Sequence, residues 1–216
     1  MLSQTHTFSK VEEIANAITH GIGAILSIAA LVLLIVFSSL YGTAWHIVSF
    51  TIYGVSMVLL YMSSTLLHSL PKGKGKDVFE ILDHSSIYLF IAGTYTPLMF
   101  VVVQGALGWT IFGIVWGLAI AGIVFKAFFV KKYMFVSTLF YIVMGWLVVI
   151  AVEPLVNTLP TAGLMLLVGG GIAYTAGTIF YVWRGFKFHH AVWHMFVLLG
   201  SILHFLLIFF YVLPIQ

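Results

Sequence analysis

The chain has 216 residues, 62% of them hydrophobic and only 7% charged, and its mean hydropathy is +1.15. No soluble globular surface can be built from so few charges, which excludes a water-soluble enzyme and leaves a polytopic integral membrane protein. The formal charge of +3 speaks to membrane topology rather than to nucleic acid, and the absence of Cys excludes disulfides and restricts any metal site to His, carboxylate or water.

The N-terminal residues 1–17 are polar and lack a basic stretch followed by an apolar core, so no cleaved signal peptide is expected. Ser9 and Glu12 have the spacing of a capping box, and Phe8, Val11, Ile14, Ala15 and Ile18 recur at helical spacing. This predicts a short N-terminal interfacial helix that serves as an anchor. Seven apolar runs follow, near 18–39, 45–68, 82–103, 108–126, 133–151, 161–182 and 189–213. Each is long enough to cross about 30 Å of hydrocarbon. The expected fold class is all-α: a single seven-transmembrane helix domain over residues 1–216, with short connections and a longer one from Ser69 to Ile81. Gly113 and Gly117 form one GxxxG, and Gly169 to Gly171 with Gly177 allow close helix approach in the sixth run. No internal repeat stands out, which argues against an inverted-repeat transporter.

The basic residues set the orientation. Lys10, then Lys72, Lys74 and Lys76, then Lys126, Lys131 and Lys132, then Arg184 and Lys187 make up all nine Lys and Arg. In a seven-span chain they all fall on one side, which the positive-inside rule makes cytoplasmic, with the C-terminus outside. Glu153 is the one acidic residue expected in an outer loop.

That topology brings polar residues to one depth. His68 ends the second run, Asp83 begins the third, and His190 and His194 begin the seventh, all at the cytoplasmic side. His190 and His194 are four apart and therefore share a helix face. Nine histidines would give about 0.4 such pairs by chance, so the pair needs the support of the other groups. Three imidazoles plus a water make an open tetrahedral zinc site of catalytic type. Ser64, one turn before His68, is placed to hold a hydrogen bond behind the site or to steady a water or an oxyanion. Asp83 either orients the metal's water or takes its proton.

Read in order, Ser64-x-x-x-His68, Leu82-Asp83-His84-Ser85-Ser86-Ile87 and His190-x-x-x-His194 followed by Gly200-Ser201-x-x-His204-Phe205 resemble the hemolysin III family. That family stands with the progestin and adipoQ receptors, including the adiponectin receptors, and more distantly with the alkaline ceramidases. The stretch Glu12-Glu13-Ile14-Ala15-Asn16-Ala17-Ile18-Thr19-His20-Gly21 resembles the start of bacterial members. The resemblance covers nearly the whole chain. It implies a seven-helix zinc protein with His68, His190 and His194 on the metal, Asp83 touching it through water and Ser64 close by. The N-terminal segment is far shorter than in the receptor branch, so a hormone-receptor role does not carry over, and the short tails point to a bacterial inner (cell) membrane.

Plainer readings stand beside these. His190 and His194 could be satisfied by carbonyls and water near the interface, and His68 is what a helix C-terminus favours in any case. Asp83 near a helix start is also what capping predicts without any metal. His204 lies ten residues past His194, about 15 Å deeper, too far for the same ion, and is expected to hydrogen-bond between helices. His20 reads as a support for the site, a substitute ligand or a packing residue. His84 and His189 point about 100° away from their neighbours, and His6 and His46 read as surface residues.

Three functions remain at this point. One is a zinc-dependent intramembrane hydrolase of a lipid amide or ester, a ceramidase-like amidase among them, with a membrane lipid as substrate. The second is a sensor of membrane state in which structural zinc holds helices two, three and seven and a lipid is the ligand. The third is a pore-forming cytolysin. The sequence argues against the last, since it carries no secretion signal and no line of polar residues through the bilayer.

Overall fold

The computed structural model describes residues 8–215, and His6 lies outside the described residues. Among the described residues, seven helices are long and apolar enough to cross a membrane: α1 Lys10–Tyr41, α2 Ala44–Ser69, α3 Lys74–Val103, α4 Gly105–Phe129, α5 Met134–Thr158, α6 Thr161–Val182 and α7 His189–Val212. The described residues contain no strand. Large apolar side chains such as Ile25, Phe128 and Met165 lie exposed on the outside, as a lipid-facing surface requires.

Each helix packs along the next from α1 to α4, α6 packs along α7, and α1 closes back on α7, while α5 touches α3, α4 and α6. In the centre, α3 is the most enclosed of the seven. Pro97 cannot supply its N–H to the ladder, and just beyond it the chain widens into a π-turn over Leu98–Val103. Buried tyrosines cross the core with their hydroxyls satisfied: Tyr61 donates to Ser201 Oγ at 2.7 Å and Tyr95 to the Gly145 carbonyl at 2.8 Å.

Several expected boundaries shift. The capping box forms, with Ser9 N donating to Glu12 at 3.0 Å and Glu12 N to Ser9 Oγ at 3.4 Å. However, the amphipathic stretch does not stand apart as an interfacial helix: residues 10–17 are the first turns of one unbroken 32-residue helix. Nothing between Ala17 and Gly21 stops a helix, so the apolar run simply extends the amphipathic one. Likewise α3 begins at Lys74, so Lys74, Lys76, Asp77 and Glu80 lie on helix rather than in a loop. At the other end of the bundle α5 runs to Thr158 and takes Glu153 into its last turns.

Ion pairs tie the charged ends together. Lys76 Nζ lies 2.8 Å from Glu13, and Lys131 Nζ lies 2.8 Å from Asp77 and 3.7 Å from Glu80. The starts of α1 and α3 and the α4–α5 connection therefore share one end of the bundle. The hydrogen bond that Lys131 donates to Asp77 holds its ammonium above the ordinary pKa.

Of the glycines read as packing contacts, Gly170 and Gly177 bear out the expectation, lying against His204 and against Trp193 and Phe196. The GxxxG pair does not: a side chain at Gly113 or Gly117 would meet nothing within 4 Å. His46 departs from its expected surface position too. It is buried, and its Nδ1 accepts from Thr43 N at 3.1 Å at the start of α2.

Candidate metal centre

Helix α7 opens just after Phe188, which has a left-handed backbone (φ 65°) and whose N–H donates to Glu12 Oε1 at 3.2 Å. That contact joins the start of α7 to the start of α1. One turn of helix then places His190 and His194 on the inward face. His68 arrives from the last turn of α2, just before Leu70 and Pro71 end that helix. The three rings are buried, and one ring nitrogen from each lies within 4.8 Å of the other two. Ring centroids are 4.5 Å apart for His190 and His194, 5.2 Å for His68 and His190, and 5.3 Å for His68 and His194.

The hydrogen bonds behind the rings decide which nitrogens face inward. His68 Nδ1 donates to Glu13 Oε2 at 2.7 Å, leaving its Nε2 buried with no hydrogen-bond partner. A carboxylate only accepts, so Nδ1 carries the proton and Nε2 presents a lone pair. His194 Nδ1 lies 3.2 Å from the Asn16 carbonyl and 3.0 Å from Thr19 Oγ1. The Thr19 hydroxyl itself donates to the carbonyls of Ala15 and Asn16, so the His194 ring again donates through Nδ1 and keeps Nε2 as the lone pair. A carboxylate or carbonyl on the far nitrogen of a ligating imidazole fixes its tautomer and raises its basicity. This all-imidazole donor set, with His68 Nε2 buried and unpartnered, fits a borderline cation such as zinc, whose nitrogen ligands usually stand at about 2.0–2.1 Å.

The structure thus gathers His68, His190 and His194 as the spacing predicts. It also shows more than the sequence analysis, which offered His20 alone of α1 as a support for the site. Glu13, Asn16, Thr19 and His20 form one face of α1, and that face is the wall behind the site. Glu13 also pairs with Lys76, so one carboxylate holds both a candidate ligand and the start of α3. The stretch read as an anchor is therefore part of the site. A signal was present in the polar residues at 13, 16 and 20, whose i, i+3, i+7 spacing marks a single face.

His20 resolves toward packing. Its ring stacks on His194 with centroids 3.4 Å apart and planes 12° from parallel, and its Nδ1 meets Ser64 Oγ at 2.6 Å. It does not belong to the group of mutually close donors among the described residues. Ser64 is buried with its hydroxyl on His20, so it stands behind the stack. His189 turns away and meets the Phe180 carbonyl at 2.9 Å. Phe8 lies over the end of the site, its ring centroid 5.0 Å from that of His190 and 5.9 Å from that of His68.

A cavity of about 130 Å³ runs through the bundle beside the triad, lined by His190 and His194 of the three, by Asp83 and His20, and by His204. Between them the wall is largely apolar, including Ile87, Phe90, Ile91 and Val197. Asp83 stands outside the group of mutually close donors, as a water-mediated role would require. Its Oδ2 is 3.6 Å from His84 Nδ1, but that nitrogen donates to the Glu80 carbonyl at 2.8 Å, so the contact with Asp83 is proximity rather than a bond. His204 makes the expected contact between helices, with Nε2 3.1 Å from the Leu167 carbonyl.

Comparison with known proteins places this geometry in context. The family model described as Haemolysin-III related matches residues 8–205. The chain is 60% identical over 204 residues to the Hemolysin-3 homolog of Bacillus subtilis (strain 168), covering 94% of this chain and 96% of that one. It is 57% identical over 203 residues to Hemolysin-3 of Bacillus cereus, covering 94% and 93%. The Monocyte to macrophage differentiation factor of Homo sapiens is 30% identical over 206 residues, covering 93% of this chain and 84% of that protein.

Proposed function

The chain belongs to the haemolysin-III related family, and from that premise we propose that it is a zinc-dependent hydrolase working inside the membrane on a lipid amide or ester. The observation that carries this reading is the convergence of three imidazole nitrogens, within 4.8 Å of one another, beside a largely apolar cavity that His190, His194 and Asp83 line.

His68, His190 and His194 would hold zinc, which would supply Lewis acidity and make water acidic enough to react near neutral pH. The protein's own groups do the rest. Glu13 and the Asn16 carbonyl hold the His68 and His194 rings in the tautomer that presents Nε2. Ser64 acts through His20, keeping that ring stacked on His194. Asp83 takes the proton of the attacking water and returns it to the leaving amine or alcohol, so that the acyl C–N or C–O bond breaks as the new C–O bond forms. The apolar wall receives the lipid chain and keeps bulk water from the reacting carbonyl.

The positive-inside rule puts the charged end, and the site with it, on the cytoplasmic side of a bacterial cell membrane. A second reading has one specific support. The candidate ligands come from two helices, so zinc would staple α2 to α7, and a regulator of membrane state needs no turnover. A lytic pore, suggested by the names of the two Bacillus relatives, is the weakest reading because the cavity beside the triad is largely apolar.

The test is hydrolysis of a mixed lipid extract by native protein and by Asp83→Asn, with zinc measured in both. We expect turnover in the native protein and a loss of at least about a hundredfold in Asp83→Asn with zinc retained. No turnover in either, with helix packing still zinc-dependent, would establish the regulator instead.

A further inference from the structure

His204 sits about 15 Å along α7 from His194, at 1.5 Å per residue, yet lines the same cavity. Its Nε2 lies 3.1 Å from the Leu167 carbonyl. A carbonyl only accepts, so Nε2 carries the ring proton and Nδ1 presents a lone pair. That Nδ1 is buried with no hydrogen-bond partner. Gly170 of α6 lies beside the Nε2–Cδ2 edge of the ring, where a side chain would collide with it. The other polar groups around it are engaged. Tyr174 shares a hydrogen bond with Ser201 at 3.1 Å, and Thr175 donates to the Gly171 carbonyl at 2.8 Å while accepting from Trp146 Nε1 at 3.0 Å. His204 thus lines the cavity with a ring whose Nδ1 the surrounding protein leaves unsatisfied.

Leaving a buried acceptor without a donor is costly, whereas a ligand that brings one gains both the bond and the contact. We propose that the ligand of this cavity is a long-chain lipid with a second polar group, an O–H or N–H donor, about 15 Å along the chain from the end held at the triad, and that His204 Nδ1 accepts its hydrogen bond. The proposal rests on the reading that the triad end receives the lipid head. It narrows the substrate class from any acyl lipid to one with a mid-chain hydroxyl or amide.

Oleic and ricinoleic acids differ by one mid-chain hydroxyl, which in ricinoleic acid lies about that far from the carboxylate. Their binding is measured by displacement of a fluorescent fatty acid from purified, zinc-loaded protein in detergent. Native protein is expected to hold ricinoleic acid at least about tenfold more tightly than oleic acid, and His204→Leu to bring the ratio to about one with zinc unchanged. His204→Gln, which can donate to Leu167 and still accept, should retain part of the preference. Equal affinity in the native protein, or a preference that survives His204→Leu, would overturn the proposal. So would failure of both acids to bind. A native protein without zinc would contradict the metal reading alone, because the ratio between the two acids is read independently of the metal.

Discussion

Beside the cavity His68 and His194 donate through Nδ1, to Glu13 and to the Asn16 carbonyl, and hold Nε2 bare. At its far end His204 donates through Nε2 to Leu167 and holds Nδ1 bare. The side chain is the same and its membrane setting similar, yet the first rings converge with His190 while the last stands alone. The difference teaches that the partner taking the ring proton decides what a buried imidazole can do. Where two such lone pairs meet a third imidazole they suit a cation, and where one stands alone in a ring that lines an apolar cavity it suits a single hydrogen-bond donor.

The largest effect that would break this contrast is on metal content. His190→Ala or His194→Ala should remove most bound zinc, while His204→Ala should leave it unchanged, both read by metal analysis of purified protein. Equal losses from all three would erase the distinction between the two ends. A smaller effect should come from Glu13→Ala. Loss of the carboxylate behind His68 is expected to weaken zinc binding by about ten- to a hundredfold without abolishing it, as measured by competition with a chelator. Glu13→Gln, which can still accept from Nδ1, should fall between. The smallest effect belongs to the far end. Gly170→Ala should destabilise the protein by about 1–3 kcal/mol by crowding the His204 ring, with zinc affinity unchanged. Gly117→Ala, facing open space, should stay within about 0.5 kcal/mol.

Much of this organisation was legible in the residues. Seven long apolar runs need seven spans, and seven helices of that length and apolarity are what the described residues form. His190 and His194 could be read because helical periodicity dictates a shared face, and His68 because the topology brought it to the same level. The wall behind them could not. Glu13 sits beside Glu12, whose capping role was visible, and a carboxylate in a first helical turn already has a sufficient local explanation. Asn16 contributes through its backbone carbonyl, which no side-chain pattern reveals. Ser64 was placed near the site, but its engagement with His20 depends on the rotation of α1 against α2. The GxxxG of α4 failed for a similar reason, since spacing shows that two glycines share a face and not which neighbour, if any, that face meets.

The central claim is that three imidazoles from α2 and α7 hold one ion, and X-ray absorption at the zinc edge of the zinc-loaded protein tests it most directly. The account predicts a tetrahedral shell of three imidazole nitrogens at about 2.0–2.1 Å and one oxygen, with one imidazole lost in His68→Ala. A shell holding fewer than three imidazoles, or one that His68→Ala leaves untouched, would contradict it.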